Sequence, residues 1–189
     1  MLVLLLFIKI LSKKMSSMIV DCLSKAIFMF IVYNVVALLL FGVPKSLSMT
    51  HYLFKERQDT LKVMFPTFIT LLCMFLIPCW LQISEGSIFQ FTAFLSAGML
   101  LFVGCSPCFM DVPLEGLVHN ISAYCCAAFA ILWIILVTSY WWVILIVLAL
   151  IATAAILTKT WKTCYIYWLE MVAFISTFVT MILHYTLNN

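Results

Sequence analysis

WWVILIVLALIATAAIL, residues 141 to 157, decides what kind of protein this is. Seventeen consecutive residues contain no charge, and Thr153 is the only hydroxyl among them. A strand with one wet face alternates apolar and polar residues with period two. This stretch does not alternate, and neither do the other apolar runs in the chain. In lipid no water is present to bond a free N–H or C=O, so an apolar run of this kind must satisfy its own backbone as a helix. The tryptophan pair at its start reads as an interface anchor, the indole ring favouring headgroup level.

Composition carries the same message along the whole length. Of 189 residues 67% are hydrophobic and only 9% are charged, with a mean hydropathy of +1.24. Soluble domains run at about 25% charged residues, and this chain has too few charges to cover its apolar surface in water. The net charge of +3 is small and scattered, which excludes a nucleic-acid partner. Nine of the ten basic residues are lysine, Arg57 being the exception, a bias that points to a bacterial or phage coding sequence. Six of the eight cysteines (Cys22, Cys73, Cys79, Cys125, Cys126, Cys164) lie in or beside apolar runs. There cysteine behaves as a small hydrophobe, so no secreted disulfide framework is expected.

A spanning helix takes roughly 20 apolar residues, and six segments are read as spans: Ala26–Gly42, Val63–Leu81, Ile88–Cys105, Leu117–Thr138, Trp141–Leu157 and Cys164–Leu187. The expected fold is an all-α transmembrane bundle of six helices over residues 26–187, preceded by an extension, residues 1–25. The apolar run Met1–Leu11 is too short to span, and Lys13 and Lys14 follow it, whereas a signal peptide carries its lysines first. The extension is read either as an interfacial helix or as residues upstream of a start at Met15 or Met18. Lys45, Lys55, Arg57, Lys62, Lys159 and Lys162 fall on the first, third and fifth connections, which places that side in the cytoplasm. The expected location is a bacterial inner membrane. Helices in lipid associate through small residues, and the expected thin faces are Ala93, Ala97, Gly98 and Gly104, then Ala123 and Ala127, then Ala149 and Thr153. Of the connections only residues 43–62 are long, with Lys55–Asp59 a solvated turn or short surface helix.

Three groups of residues could carry chemistry. Glu170 is the one charge inside the six expected spans, about 9 Å into the last of them at 1.5 Å per residue. An ionisable residue at that depth faces the bundle interior or water. Thr163, Glu170, Thr177 and His184 recur every seven residues and share a slowly drifting stripe. The fourth span offers His119, Ser122 and Cys126 on a matching face, so a Glu170–His119 hydrogen bond is expected, with Asn34 as another partner. The pair reads as a proton relay or ligand anchor, or else as polar glue between helices worth about 0.6–2 kcal/mol. The second group is His51, Asp111, Glu115 and His119, which on one side of a membrane could assemble a metal site for a hydrolase; Glu115 also suits the first turn of a helix. The third is the thiol pair Cys105 and Cys108. Cysteines gain reactivity at helix N-termini, whereas this pair sits at a helix end whose dipole opposes thiolate.

The fragment from Gly98 to Pro107 (GMLLFVGCSP), followed by Glu115-Gly-Leu-Val-His119 and Ala123, resembles uncharacterised bacterial six-helix integral membrane proteins. In that group a glycine-rich third helix ends in proline and the fourth begins with histidine. Gly42-Val-Pro-Lys-Ser-Leu-Ser48 with His51 and Tyr52 is similar to it as well. The resemblance covers about a third of the chain. It implies six spans and a histidine near one interface, and no activity. The functional expectation is therefore a multi-pass protein in the lipid bilayer, without a cofactor, that binds or senses a small or lipidic ligand near Glu170 and His119. A metal-dependent hydrolase and a structural or partner-binding subunit are the alternatives. Nothing in the sequence sets an oligomeric state.

Overall fold

A computed structural model describes residues 17–188. The reading of the first 14 residues and of Lys9, Lys13, Lys14 and Met15 lies outside them. Among the described residues there are seven α-helices and no strand. They are α1 (Ser17–Phe41), α2 (Thr50–Arg57), α3 (Met64–Ile83), α4 (Phe91–Cys105), α5 (Pro113–Trp133), α6 (Trp141–Leu157) and α7 (Tyr165–Asn188). A 3-10 turn over Asp59–Val63 leads into α3, and a π turn over Ile134–Thr138 extends α5.

Four of these stretches are long and apolar enough to cross a membrane: Met18–Phe41, Asp59–Ile83, Pro113–Thr138 and Tyr165–Leu187. The expectation of six spans is corrected to four. Helix α4 has 15 residues and α6 has 17. At 1.5 Å per residue they reach about 22 and 26 Å, short of a hydrocarbon core of about 30 Å. The reason in α4 is local. Residues 84–90 close successive turns through Ser87 N–H to the Ser84 carbonyl (3.0 Å) and Gln90 N–H to the Ser87 carbonyl (3.1 Å). Gly86 supplies the positive φ of 77°, so Ile88 and Phe89 enter a turn instead of the helix. The first helix differs in the other direction: it starts at Ser17, upstream of Ala26, and buries Ile19 and Leu23 in the core.

Helix α1 ends at Gly42, which takes φ 70° and donates its N–H to the Leu38 carbonyl at 2.9 Å. Glycine suits this left-handed cap because it has no Cβ to clash. The helices then alternate in direction. The segment after α1, the loop before α5 and the start of α7 meet at one end, through Lys55–Asp111 (3.4 Å) and Tyr167 N–H to the Lys45 carbonyl (3.1 Å). At the other end Tyr185 Oη donates to Gln82 Oε1 (3.1 Å), and Trp133 Nε1 donates to Ser84 Oγ (2.8 Å).

The core is aromatic and aliphatic. Tyr33 stacks on Phe68 with centroids 3.9 Å apart, and Phe30 meets Phe174 and Phe178. Ala93 and Ala97 are buried as expected. A Cβ on Gly104 would stand 3.0 Å from Ile69, so α4 lies close on α3 there, whereas Gly98 borders open space. Ala149 and Thr153 are exposed. The packed stripe of α6 is Val143, Val147, Ile151 and Ala155, four apart and so on one helical face. The outer surface is apolar, with Phe28, Leu39, Tyr124, Leu145, Leu150 and Ile156 all more than half exposed. Soluble monomers rarely show contiguous apolar surface on this scale, and four long apolar helices suggest a multi-pass integral membrane protein.

Candidate functional site

The segment between α1 and α3, residues 43–62, is read from the sequence as a long connection. Its first half is folded into the bundle. Pro44, Leu47, Ser48, Thr50 and His51 are buried, while Lys55–Asp59 is exposed as expected. Three bonds clip the segment to the first turns of α7. Cys164 Sγ donates to the Val43 carbonyl (3.3 Å), Tyr167 N–H donates to the Lys45 carbonyl (3.1 Å), and Leu47 N–H donates to Glu170 Oε2 (2.5 Å). Alternate residues of the segment thus meet one residue per turn of the helix. The middle bond also satisfies one of the N–H groups that every helix start leaves without an internal partner. From the other side Tyr33 Oη bonds Thr50 Oγ1, which itself donates to the Leu47 carbonyl at 2.6 Å.

His119 holds the same segment from α5. Its Nδ1 lies 2.9 Å from the Ser106 carbonyl and its Nε2 2.9 Å from Ser48 Oγ. A carbonyl only accepts, so Nδ1 carries the proton, and in the neutral ring Nε2 accepts from the Ser48 hydroxyl. The imidazole is buried and stacks on Phe109 with centroids 4.4 Å apart. The expected Glu170–His119 bond is therefore replaced. Both ring nitrogens have other partners, and the two side chains hold adjacent residues, Leu47 and Ser48. Asn34 likewise bonds a neighbour of Glu170: it accepts from Tyr167 Oη at 3.1 Å and donates to the Phe30 carbonyl at 2.8 Å. Ser122 is buried one turn after His119.

Glu170 and Ser48 border a cavity of about 70 Å³ between α3, α4, α5 and α7. Away from that end the wall is almost wholly apolar: Phe65, Ile69, Leu76, Leu100, Val103, Phe174 and Phe178, with Trp80 at the far end. Ala123, Ala127, Ala130 and Ala173 leave the space open by being small. The middle of the expected stripe, Glu170 and Thr177, faces this cavity, while Thr163 is exposed. No ion pair joins Glu170 to a basic side chain among the described residues; the pairs are Lys25–Asp21, Lys55–Asp111 and Lys62–Asp59.

The remaining sequence candidates are dispersed. Among the described residues no three His, Cys, Asp or Glu side chains come together in a way that could hold a metal ion. Asp111 pairs with Lys55 at the surface, Glu115 Oε2 accepts from Cys108 N–H at 3.0 Å, and His51 Nδ1 donates to the Lys62 carbonyl at 2.8 Å. The first turn of α5 thus uses Glu115 to hold the preceding loop. Cys105 and Cys108 are both free thiols, Cys105 exposed. Met110 N–H donates to Tyr52 Oη at 2.8 Å, so this loop and α2 support each other.

His51 gives the site a pH signature. Burial pushes its imidazole below the ordinary value of 6.5, with Lys55 and Lys62 adding to the fall and the Lys62 carbonyl and Asp111 opposing it. Its Nε2 is buried without a partner, so a second proton placed there would find no acceptor. The fold therefore prefers the uncharged ring, and the unfolded chain takes up the proton first as pH falls. Stability is expected to drop as pH falls below about 6.5 and to level off once the folded ring titrates. Thermal unfolding between pH 7.5 and 5 should show a shallower pH dependence in His51→Asn, whose amide N–H can replace the Nδ1 donor. Equal slopes in the two proteins would remove His51 from this account.

The fold is an all-α bundle with four helices long and apolar enough to cross a membrane, and the Glu170 side chain borders a cavity among its helices. No family model, curated protein or solved structure matches the chain.

Proposed function

We propose that this is a multi-pass membrane protein that binds or senses a small amphiphile in the cavity beside Glu170. The carrying observation is the contrast within one cavity: a carboxyl group and a serine hydroxyl at one end, and along the rest a mainly apolar wall broken by Ser96 and Thr177. Ligand sites are typically apolar concavities with a few converging polar groups. An acid in a membrane helix is costly enough to need a reason. The partly buried segment 43–51 supports the reading, because it ties the Glu170 end to α2 and to the loop before α5. An occupant touching Glu170 would thereby press on residues at the membrane surface. The Lys45, Lys55, Arg57, Lys62, Lys159 and Lys162 end is the cytoplasmic side in this reading, against Lys25 among the described residues towards the other end, a bias of six to one that becomes six to four with Lys9, Lys13 and Lys14; the membrane is a bacterial inner membrane.

Thermal unfolding in lipid nanodiscs tests it with a panel of short-chain amphiphiles of positive, neutral and negative head. A ligand of the folded state at a hundredfold its Kd stabilises by about 2.7 kcal/mol. At least one panel member is expected to raise the Tm of the wild type and leave Ala127→Leu unmoved, since that leucine fills the cavity. A panel that moves neither protein would sink the reading.

A further inference from the structure

Charged groups and helix ends mark how thick an apolar layer this protein fits. Helix α1 carries an ion pair on its outer face, Lys25 Nζ to Asp21 Oδ2 at 2.6 Å, with both side chains more than half exposed. A lysine reaches headgroup level along its flexible stem, but the short aspartate cannot. A charge facing lipid is costly, so the pair belongs at the edge of the apolar layer. The uncharged stretch 26–41, between the pair and the Gly42 cap, is about 24 Å long at 1.5 Å per residue. The neighbouring helix agrees. The Lys25 ammonium lies 5.9 Å from the centre of the Phe75 ring, and along α3 that level is only about 20 Å from Lys62 at the opposite edge.

Helices α4 and α6 set the same limit independently. Each runs from one end of the bundle to the other. Before α4, Gln90 Nε2 donates to the Leu81 carbonyl (3.4 Å); after it, the Ser106 carbonyl accepts from His119 Nδ1 (2.9 Å). Before α6, the Tyr140 ring meets His184 with centroids 6.4 Å apart; after it, Thr160 Oγ1 accepts from Trp168 Nε1 (3.0 Å). Yet the two helices reach only about 22 and 26 Å. Their outer faces are open and apolar, with Phe94, Phe102, Leu145 and Ile156 all more than half exposed. A long helix fits a thin layer by tilting, whereas a short one meets a thick layer only if the lipid thins beside it. The short helices therefore govern the fit.

We infer, from the membrane embedding alone and without the cavity, that the outer surface formed by α1, α4 and α6 fits a bilayer with a hydrocarbon layer of about 22–26 Å, against about 30 Å in a typical membrane. Its partner is phospholipid with short acyl chains. The Asp21–Lys25 pair is the edge of that surface on α1.

The probes are phosphatidylcholine vesicles with monounsaturated chains of fourteen to twenty-two carbons, into which the full chain is reconstituted. Each lipid is mixed with a brominated eighteen-carbon phosphatidylcholine, and bromine quenching of tryptophan gives the relative affinity for each chain length. Trp141, Trp142 and Trp161 are partly exposed around the ends of α6 and report contact there. Fourteen- and sixteen-carbon chains are expected to bind about threefold or more tighter than twenty-two-carbon chains. The Tm, followed by circular dichroism in the same lipids, should be highest in the shorter chains. The double variant Asp21→Leu, Lys25→Leu removes the charged edge of α1 at two exposed positions. Its Tm optimum should move to longer chains, whereas a merely structural effect would lower Tm alike in every lipid. A wild-type optimum at eighteen carbons or longer, or equal affinity for all chain lengths, overturns the thin layer while leaving the protein in the membrane. An unmoved optimum in the double variant overturns the pair as the edge. If the chain floats with no vesicle and no lipid quenches it, the membrane reading of the function falls as well.

Discussion

His119→Ala is expected to lower the unfolding free energy by about 3–5 kcal/mol, the larger part from two buried hydrogen bonds and the rest from the lost stacking on Phe109. The magnitude follows from what the truncation strands. The Ser106 carbonyl loses its Nδ1–H donor and the Ser48 hydroxyl loses its acceptor. Both serines are buried, and water reaches such groups poorly. Each unsatisfied buried polar group costs about 1–3 kcal/mol. The same deletion frees Ser48 from α5, leaving the segment held by α7 and by Tyr33 of α1. Equilibrium unfolding in mixed micelles, wild type against variant, gives the difference directly. His119→Gln, which can offer one donor and one acceptor, should recover part of it. A loss below about 0.5 kcal/mol would mean that the ring does not carry the segment, since surface-type substitutions stay in that range.

The second large effect is expected at a residue with no side chain. A Cβ on Gly116 would stand 2.6 Å from the Phe109 carbonyl oxygen, a distance that real structures avoid. The oxygen is backbone and belongs to the loop held at both sides, by Met110 N–H to Tyr52 and by Cys108 N–H to Glu115. It cannot swing aside as a flexible side chain would. Gly116→Ala should therefore cost about 2–3 kcal/mol through overpacking, although alanine is the better helix former by about 1 kcal/mol. Because Phe109 carries the His119 ring, the displacement should pass to His119. The double variant Gly116→Ala, His119→Ala should then lose less than the two single losses added together, as coupled neighbours do. Strict additivity, or a stabilised Gly116→Ala, would show that the loop before α5 yields freely.

Exposed pairs make a useful contrast. Lys55–Asp111 joins two partly exposed side chains at the surface, and such a pair contributes about 0–1 kcal/mol. Its place in the fold is positional: it marks where α2 and the loop before α5 meet. The energetic weight of that junction rests on Tyr52, Phe109 and His119.

Much of this protein is legible in its residues alone. Composition excludes a water-covered fold, and uninterrupted apolar runs demand helices; Trp141–Leu157 forms one with the bounds that its sequence gives. Glu170 and His119 stand out because polar groups are rare in such runs, and both prove to sit where the long connection after α1 is fastened. Tertiary structure decided the rest. Whether an apolar run is long enough to cross depends on turns that take residues from its ends, as residues 84–90 do from α4. The partners of Glu170 and His119 are a backbone N–H, a serine hydroxyl and a backbone carbonyl. Backbone groups are present at every position, so no sequence pattern marks which of them a buried side chain will choose. The cavity has the same origin: alanines at 123 and 127 read as a close-packing surface, and only the spacing of α3, α5 and α7 leaves them, with Ala130 and Ala173, lining a cavity beside Glu170.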